Sequence, residues 1–446
     1  MNRRRKVEKK TLSEWLAHIE ALHGGADKID LGLDRMREMI SRMGIRFKCP
    51  VLTVAGTNGK GSTCAMLESI LRAAGLRVGM HTSPHMLRFN ERAWLLGREA
   101  TDAELCRVFA EVEAKRDGMI LSYFEFTALG ILKLFAESEL DAVVLEIGLG
   151  GRLDAINAID PTVSIVTTVG IDHTAFLGPD RESIGREKSF VYRSAPGHAA
   201  VCADPEPPAS VLRHAEEIGA DLRLVGRDFR AVEHGNDTFD YLGRTLRLPG
   251  LPRPALAGEM QVANAAGALA VLEALLELHP EIRVPREAVE TGLRSVVITG
   301  RFQRIAEKPL LILDAGHNPH AAVELARNLG SPSSRVSGRT IAVCGMLKDK
   351  DRMHVAGIVK GSVDLWRLAS LTGPRASTAD DLEAEFLKAG VPEEAVKKFG
   401  SVAEALRFAR EEAGSADRII VFGSFVTVSA AIESLRASGI PVAIVP

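Results

Sequence analysis

The sequence predicts an α/β fold built from two consecutive doubly wound units, and three observations support this prediction. Short apolar runs, of the kind buried on both faces of a parallel sheet, alternate with helical patterns over most of the 446 residues. A glycine-rich loop joins the first run to a helix, and a second alternating series begins near Leu310. Two such units facing each other would place strand carboxyl ends, where open α/β sheets bind ligands, at a shared cleft.

The first unit is predicted from four buried runs with helices between them. The predicted strands are Val51–Ala55, Val78–Thr82, Ala142–Ile147 and Val163–Val169, and the helices include Ser62–Ala74 and Asp102–Lys115. Alternation at Thr238–Leu242 and Thr245–Leu248 predicts a small antiparallel excursion. A Pro/Gly-rich bend at Leu248–Pro254 and an Ala-rich helix at Met260–Leu278 are expected to follow.

The second unit is predicted to be a Rossmann-like doubly wound domain. Its predicted strands are Leu310–Asp314, Thr340–Cys344, Val363–Leu368, Arg418–Phe422 and Val442–Val445. We place the domains at residues 1–296 and 297–446, with a hinge near Val296–Gly300.

Composition excludes several functional classes. The formal net charge of -2 gives no general basic surface, so we expect neither a nucleic-acid nor a membrane partner. The five cysteines are scattered without C-x-x-C spacing, which predicts reduced thiols and neither disulfides nor a zinc site. No apolar segment follows the basic N-terminal residues, so we expect a cytoplasmic protein, and a monomer because no long exposed apolar helix is apparent.

The glycine-rich loop indicates nucleotide binding. An apolar strand runs directly into Gly56, Thr57, Asn58, Gly59, Lys60, Gly61 and Ser62 and then into a helix. Backbone N–H groups of such a P-loop converge on phosphate oxygens at a helix N-terminus, and Lys60 would reach the β- and γ-phosphates. The spacing differs from G-x-x-x-x-G-K-[ST], and a tight turn without a ligand is the weaker alternative. The loop alone does not separate a kinase, a GTPase and a ligase.

Acidic and histidine residues follow two other predicted strands of the same sheet. Glu146 ends an apolar run, where a carboxylate is costly unless it is paired or binds a cation, and glycines and Arg152 follow it. His173 comes shortly after Val163–Val169 and could ligate a metal through a neutral imidazole. Lys188 fits a metal site poorly as an ammonium, and a surface role or a phosphate contact is the plain reading of it.

An ordered set of motifs is similar to the folylpolyglutamate synthase/dihydrofolate synthase family, of the bacterial bifunctional type, within the Mur ligase superfamily. The motifs span nearly the whole chain and are Gly56–Ser62, Ser83–His85, Glu146–Asp154, Asp172–His173, Glu187–Lys188, Gly300–Gln303, Asp314–Pro319, Gly345–Asp351 and Gly423–Phe425. The chain departs from the family pattern at Ser189-Phe190, Gly316, Thr299 and Ile156, and none of these changes removes a proposed ligand.

This resemblance implies roles for individual residues. The implied metal ligands are Ser83, Glu146, His173 and Lys188, and Lys188 resembles a lysine that CO2 converts into a carbamate. The implied ATP contacts beyond the P-loop are Asn264, Arg301 and Asp314, and the glutamate contacts are His317 and Ser424. The implied catalytic residues are Lys60, Lys188, His173 and His317. The implied pterin and folate contacts are Ile29, Asp30, Leu31, Gly32, Ser122, Tyr123, Phe124, Glu125, Arg152, Leu153, Asp154 and Ala155.

The resemblance also implies the activity, which is ATP-dependent ligation of L-glutamate to dihydropteroate and to tetrahydrofolate glutamates through an acyl phosphate. The cofactors that it implies are ATP, two Mg²⁺ ions and a carbamate on Lys188. The alternatives are a monofunctional folylpolyglutamate synthase and a Mur-type cell-wall ligase. Two alternatives from other classes stay open, a P-loop kinase or GTPase and an inactive binding protein. The ligase differs from both because its ATP turnover would require an amino acid as well as a carboxylate acceptor.

Overall fold

A central sheet of eight strands forms the first unit of the computed structural model, which describes residues 10–25, 30–235 and 237–443. The order is β4-β3-β2-β5-β1-β6-β7-β8; the run from β2 to β8 is parallel, and β3 and β4 form an antiparallel edge. The strands are β1 Val51–Ala55, β2 Val78–His81, β3 Ala93–Leu95, β4 Arg98–Glu99, β5 Ala142–Glu146, β6 Val163–Val166, β7 Ala199–Cys202 and β8 Leu222–Leu224. Strands β1, β5 and β6 lie side by side, so their carboxyl ends meet.

Helices cover both faces of this sheet. They are α1 Leu12–His23, α2 Asp34–Met43, α3 Lys60–Ala73, α4 Asp102–Arg116, α5 Tyr123–Glu137, α6 Thr174–Leu177, α7 Arg181–Ser189, α8 Ala209–Glu217, α9 Gln261–Leu278 and α10 Arg286–Ser295. Capping boxes that end on a glutamate begin three of them: the side chains of Thr11, Thr101 and Ser122 each accept a backbone N–H, and a glutamate three residues later returns the bond. Helix α7 begins with a capping box of Asp180 and Ser183.

The small antiparallel excursion is a three-stranded sheet in the order β11-β10-β9, with β9 Arg230–His234, β10 Thr238–Leu242 and β11 Arg247–Pro252. The predicted second strand and bend were wrong in their bounds, because β11 continues through Pro249 and Gly250 to Pro252. An edge strand tolerates proline since one of its sides makes no ladder bonds, and the register between β10 and β11 shifts between Phe239 and Tyr241.

The second unit is a six-stranded sheet in the order β12-β13-β17-β14-β15-β16, parallel except for β12. Its strands are β12 Gln303–Glu307, β13 Leu310–Asp314, β14 Thr340–Cys344, β15 Leu365–Ala369, β16 Val396–Phe399 and β17 Arg418–Phe422. Its helices are α11 Pro319–Gly330, α12 Arg352–Val359, α13 Ala379–Lys388, α14 Val402–Glu412 and α15 Phe425–Ala437. Short 3₁₀ helices lie at Phe89–Arg92, Ala155–Ala158, Pro332–Ser334, Lys360–Ser362 and Glu393–Ala395.

The α/β prediction is confirmed, and two predicted strands of the second unit need correction. Val363 lies outside β15, directly after the Lys360–Ser362 3₁₀ helix. The predicted strand Val442–Val445 does not form over its described part, Val442 and Ala443, and the rest lies outside the described residues. The polar hairpin strand β12 occupies the sheet edge beside β13, and Val442 instead buries its side chain in the core of this unit.

Helix α9 packs between the first sheet and the small antiparallel sheet. It is the one helix among the described residues long and apolar enough to cross a membrane, with a mean hydropathy of 1.3, but 72% of that window is buried inside the structure. Its side chains join a core cluster with β1, β2 and α3, so its apolar character is explained by packing.

Candidate active site

The loop from Gly56 to Gly59 is fixed against the end of β6. Thr57 N donates to Thr168 O at 2.7 Å, and Thr167 Oγ1 donates to Asn58 O at 2.6 Å. Gly56 has φ 150°, and a side-chain carbon there would lie 1.9 Å from Thr167 Oγ1. Helix α3 begins directly after this loop, at Lys60. The N–H groups of the first turn of α3, which have no partner within the helix, therefore stand at the end of a fixed loop, and this is a geometry that binds phosphate.

Two lysines converge on one carbonyl of this loop. Lys60 Nζ donates to Gly56 O at 3.0 Å and to Thr57 O at 3.1 Å, and Lys188 Nζ also donates to Gly56 O at 3.0 Å. Burial, together with the nearby Lys60 ammonium, lowers the pKa of Lys188 to about 7. Both effects favour the uncharged amine form of Lys188.

Glu146, Ser83 and His173 lie beside these lysines. Glu146 ends β5 and is buried, and its Oε2 accepts the N–H of Ser83 at 2.8 Å. Burial raises the pKa of Glu146 despite the attraction of Lys60, and burial lowers the pKa of His173 to about 4. The raised pKa of Glu146 reflects the free-energy cost of burying a carboxylate ion, which a bound cation would offset. The low pKa of His173 favours the neutral imidazole, which is the form that ligates metals.

These donors fit a magnesium ion that is shared with a nucleotide. No cluster of three or more His, Cys, Asp or Glu side chains suited to a metal is present in the described part of the chain. Mg²⁺ is usually held by one or two carboxylates together with substrate phosphates and water, so a lone buried carboxylate, an imidazole and a hydroxyl next to a phosphate loop suit it.

The second unit closes this region into a cleft of 460 Å³. Arg301 lines it, with its guanidinium carbon 5.3 Å from the ring centre of Phe425. Asp314 ends β13 just behind the cleft and accepts the N–H groups of Phe302 and Gly316 at 2.9 and 2.7 Å; burial raises its pKa. Asn264 of α9 lies on the other side of the phosphate loop, where a side-chain carbon on Gly59 would be 2.5 Å from its Oδ1.

His317 and Ser424 also line the cleft from the second unit. His317 Nδ1–H donates to Ala315 O at 2.8 Å, so Nε2 carries the lone pair of the neutral ring. Burial lowers the pKa of His317 to about 4. Ser424 caps α15, its hydroxyl accepting the N–H of Thr427 at 3.0 Å.

Polar contacts hold the two units together at the cleft. Lys350 Nζ donates to Asp172 Oδ1 at 2.9 Å, Asn318 Nδ2 donates to Asp172 Oδ2 at 3.1 Å, and Asn58 Nδ2 donates to His320 Nδ1 at 2.6 Å. Burial alone would raise the pKa of Asp172, but Lys350 holds it well below its usual range. These contacts join the two units across the cleft.

A second cavity, of 330 Å³, opens beside the first. It is lined by most of the residues expected to contact the pterin and benzoate groups, namely Asp30, Leu31, Gly32, Ser122, Tyr123, Phe124, Glu125, Leu153, Asp154 and Ala155. Ile29 lies outside the described residues. Arg152 does not line this cavity: it pairs with Glu187 at 2.8 Å and lies over the Phe190 ring.

Buried acids organise this second cavity. Arg35 joins two of its walls, pairing with Asp30 at 3.0 Å and with Glu125 at 2.9 Å. Asp154 accepts the N–H groups of Leu149 and Ile156 at 2.8 and 3.0 Å, and burial raises its pKa to about 6. These carboxyl groups can accept hydrogen bonds from the N–H groups of a heteroaromatic ring.

Two arginines that the sequence did not single out also line the second cavity, Arg92 and Arg375. Arg92 follows the Ser83–His85 motif by only a few residues, and its Nε donates to His85 Nδ1 at 2.8 Å. Arg375 comes from a loop of the second unit that contains none of the family motifs, so no sequence signal pointed to it.

The two cavities form one continuous space. Six residues line both of them: Ser83, Pro84, Gly148, Leu149, His173 and Arg375. A molecule with its ring in the second cavity can therefore extend a carboxylate to the phosphate loop. The sheets, phosphate loop and two-unit cleft define the class, an ATP-dependent ligase of the Mur type.

Comparison with known proteins agrees with this class. Residues 54–272 match the Mur ligase middle domain, and residues 300–425 match the Mur ligase glutamate ligase domain. The dihydrofolate synthase/folylpolyglutamate synthase of Escherichia coli K12 is 42% identical over 96% of each chain. That of Haemophilus influenzae is 37% identical over 94% of this chain and 96% of its own.

Solved structures extend the similarity to the fold. E. coli FolC in complex with DHPP and ADP has a TM-score of 0.89 at 41% identity, covering 96% of this chain and 99% of its own. The Yersinia pestis bifunctional folylpolyglutamate synthase/dihydrofolate synthase complexed with AMPPNP and Mn has a TM-score of 0.87 at 41% identity, covering 96% and 98%. The chain belongs to the dihydrofolate synthase/folylpolyglutamate synthase family.

Proposed function

We propose that this protein ligates L-glutamate to dihydropteroate and to the γ-carboxyl group of tetrahydrofolate glutamates, converting ATP to ADP and phosphate. The observation that carries the proposal is the continuity between the acid-lined cavity and the phosphate loop. This continuity lets one acceptor molecule place its ring in the acid-lined cavity and its carboxylate at the phosphate loop. The kinship with bifunctional relatives supports both acceptors.

The reaction needs an activated carboxylate, because a carboxylate ion is a poor electrophile at neutral pH. An acceptor carboxylate oxygen attacks the γ-phosphorus of ATP, the bond to the β-phosphate oxygen breaks, and ADP leaves with an acyl phosphate formed. The phosphate-loop N–H groups and Lys60 hold the phosphates through this step. We assign Asn264, Arg301 and Asp314 to the nucleotide. Asn264 lies beside Gly59 of the loop, Arg301 lines the cleft, and the Arg301 charge attracts the Asp314 carboxylate.

The second step joins glutamate. Its amine attacks the acyl carbon, the carbon–oxygen bond to phosphate breaks, and an amide forms. The neutral Nε2 of His317 faces this space and can accept the proton that the amine loses. We assign His317 and Ser424 to the incoming glutamate, in line with the related structure that holds Mn, AMPPNP and L-glutamate.

Ser83, Glu146 and His173 would hold magnesium at the phosphate loop. When bound, the ion neutralises phosphate charge and so favours attack by an anion. Glu146 is kept ready for this by burial and by the Ser83 N–H. The manganese and AMPPNP in a relative support a divalent ion at this place, and we propose two ions.

We further propose that CO2 converts Lys188 into a carbamate that serves the second ion. The amine is buried beside Lys60 and donates a hydrogen bond to Gly56 O at 3.0 Å. A second ammonium at this point would repel a metal, whereas a carbamate anion would attract it and pair with Lys60.

Mass spectrometry of the intact protein under bicarbonate should show the added mass of one CO2, and Lys188→Ala should lack it. Activity of Lys188→Ala should fall by about 100-fold and recover partly with a small carboxylate such as acetate. An unmodified, fully active wild-type protein would contradict the carbamate. Lys397→Ala, which removes an exposed lysine on β16, is the control.

The function is tested by phosphate release with ATP, magnesium and glutamate, comparing dihydropteroate with tetrahydrofolate. Turnover with both acceptors is the expected result. Turnover with tetrahydrofolate alone would leave a monofunctional folylpolyglutamate synthase, and release without glutamate or with neither acceptor would overturn the proposal. We also propose a cytoplasmic location, supported by five free cysteines. We propose a monomer as well, and the domain limits 1–296 and 297–446 stay a prediction.

A further inference from the structure

Arg375 occupies a special position among the residues of the acceptor cavity. In the described part of the chain it is the only residue of the second unit that lines this cavity. It also lines the nucleotide cleft, at the junction of the two spaces. Of the six junction residues it is the one whose side chain is always charged, because a guanidinium does not lose its proton in proteins.

The loop that carries Arg375 is fixed to the Gly345–Asp351 segment. Lys348 N donates to Arg375 O at 2.8 Å, Ser377 N donates to Met346 O at 3.3 Å, and Leu347 and Ala376 form an isolated bridge. The guanidinium itself pairs loosely with Asp349, at 3.7 Å, and both side chains are about half exposed. A carboxylate ligand can compete with such an exposed pair, because its net stabilisation is small.

The two acceptors differ in what they would place at this junction. Dihydropteroate has a single carboxylate, which is consumed when the acyl phosphate forms. A tetrahydrofolate glutamate keeps an α-carboxylate one short linker away from the reacting γ-carboxylate. An arginine at the junction can therefore form a charge-assisted pair with the folate acceptor that has no counterpart for dihydropteroate.

We propose that Arg375 is a specificity-determining residue that binds the α-carboxylate of the terminal glutamate on the folate acceptor. The inference rests on the proposed function and deepens it. Because Arg375 belongs to the second unit, the same contact ties folate binding to closure of the two units. Binding of an acceptor with a glutamate tail thus stabilises the closed position of the second unit, which delivers the next glutamate.

The test compares kcat/KM for the two acceptors in the full-length wild type, Arg375→Ala and Arg375→Lys. Arg375→Ala should lower kcat/KM for tetrahydrofolate by about 10- to 100-fold, mainly through KM. Its loss with dihydropteroate should be at least ~10-fold smaller, and Arg375→Lys should recover part of the folate activity. Arg407→Ala, which removes an exposed arginine paired with Glu411 on α14, is the control.

A tetrahydrofolate whose α-carboxylate is converted to a carboxamide removes the other partner of the proposed contact. Tested on the wild type and on Arg375→Ala, it completes a thermodynamic cycle. The wild type should use it as poorly as Arg375→Ala uses tetrahydrofolate, and Arg375→Ala should lose little further. Equal losses with both acceptors, or a raised KM for glutamate with both, would overturn the assignment while the proposed function stands. A wild type that uses dihydropteroate alone would overturn both.

Discussion

Charged side chains around the phosphate loop lie where water is largely excluded. Lys188 and Glu146 are each buried, with one short backbone contact apiece. A buried charge is costly until a partner arrives, so these residues store free energy that a nucleotide, a metal ion or a carbamate would release. Such groups also need no reorganisation when charge develops during phosphoryl transfer.

His317 should make stability depend on pH. Its pKa is about 4 in the folded protein against an ordinary 6.5, so between these values the unfolded chain binds a proton that the folded chain does not. The free energy of unfolding therefore falls as pH falls from 6.5 to 4, by up to about 3 kcal/mol for this residue. His317→Asn keeps a donor for Ala315 O and should flatten the slope, as measured by urea unfolding across this range.

The control for this measurement is His354→Asn, on the exposed start of α12. It should retain the wild-type slope between pH 4 and 6.5. A His317→Asn protein with an unchanged slope would show that the imidazole is protonated equally in the folded and unfolded states.

At the residue level, strand patterns in the sequence revealed the side chains at strand ends, whereas the loop residue Arg375 was missed. Lys60, Glu146 and His173 line one cleft because β1, β5 and β6 are neighbours, and an apolar run followed by a polar residue reveals such positions. Arg375 reaches the same cleft from a loop of the other unit. No local pattern encodes where the loop between β15 and α13 will lie, so only the tertiary structure could place Arg375.

Among the elements, the segment from Ser83 to Arg92 depends on one carboxylate. The buried side chain of Glu91 accepts the N–H groups of Met86, Leu87 and Arg88 at 2.5, 2.8 and 2.6 Å. It thereby fixes the turn that carries Ser83 to Glu146. Backbone groups bound to a buried charge are expensive to release, so this turn should be rigid.

Glu91→Gln should destabilise the protein by about 2 kcal/mol, because an amide cannot accept all three bonds and its NH₂ would face an N–H donor. It should also weaken Mn²⁺ binding in the presence of AMPPNP. Thermal unfolding and a manganese titration measure the two effects. Glu111→Gln, which alters an exposed pair with Arg107, should cost less than ~0.5 kcal/mol; equal stability of the two variants would show that the turn does not need the carboxylate.

Four central strands were predicted to the residue, whereas the central strand β7 and the edge strand β12 were not predicted. Strands β1, β13, β14 and β17 have the bounds that the sequence predicted, because each is a continuous apolar run buried on both faces. Strand β12 contains Gln303, Arg304 and Glu307 and has no fully buried residue, so its composition does not distinguish it from a loop. The apolar C-terminal residues suggested a strand, but Val442 packs into the core of the second unit without forming one.

For the whole molecule, the two units are joined by a methionine as well as by polar contacts. Met86 belongs to the first unit, yet it lies in a core cluster whose other buried members run from Leu311 to Val442. Its carbonyl also accepts the hydroxyl of Ser429. The segment that brings Ser83 to Glu146 is therefore docked in the second unit, and this docking was invisible in the sequence because a lone methionine carries no pattern.

Met86→Ala should loosen the second unit without unfolding either sheet. Removing a buried methionine costs about 2–5 kcal/mol, and this loss falls on the contact between the units, so the open arrangement should gain at least ~30-fold in population. Limited proteolysis should then cut faster near the exposed Val297, between α10 and β12. Met86→Leu conserves the volume and should be cut at nearly the wild-type rate. Equal cutting of Met86→Ala and wild type would mean that Asp172, Lys350 and His320 hold the units closed unaided, and ligase turnover should then be unchanged as well.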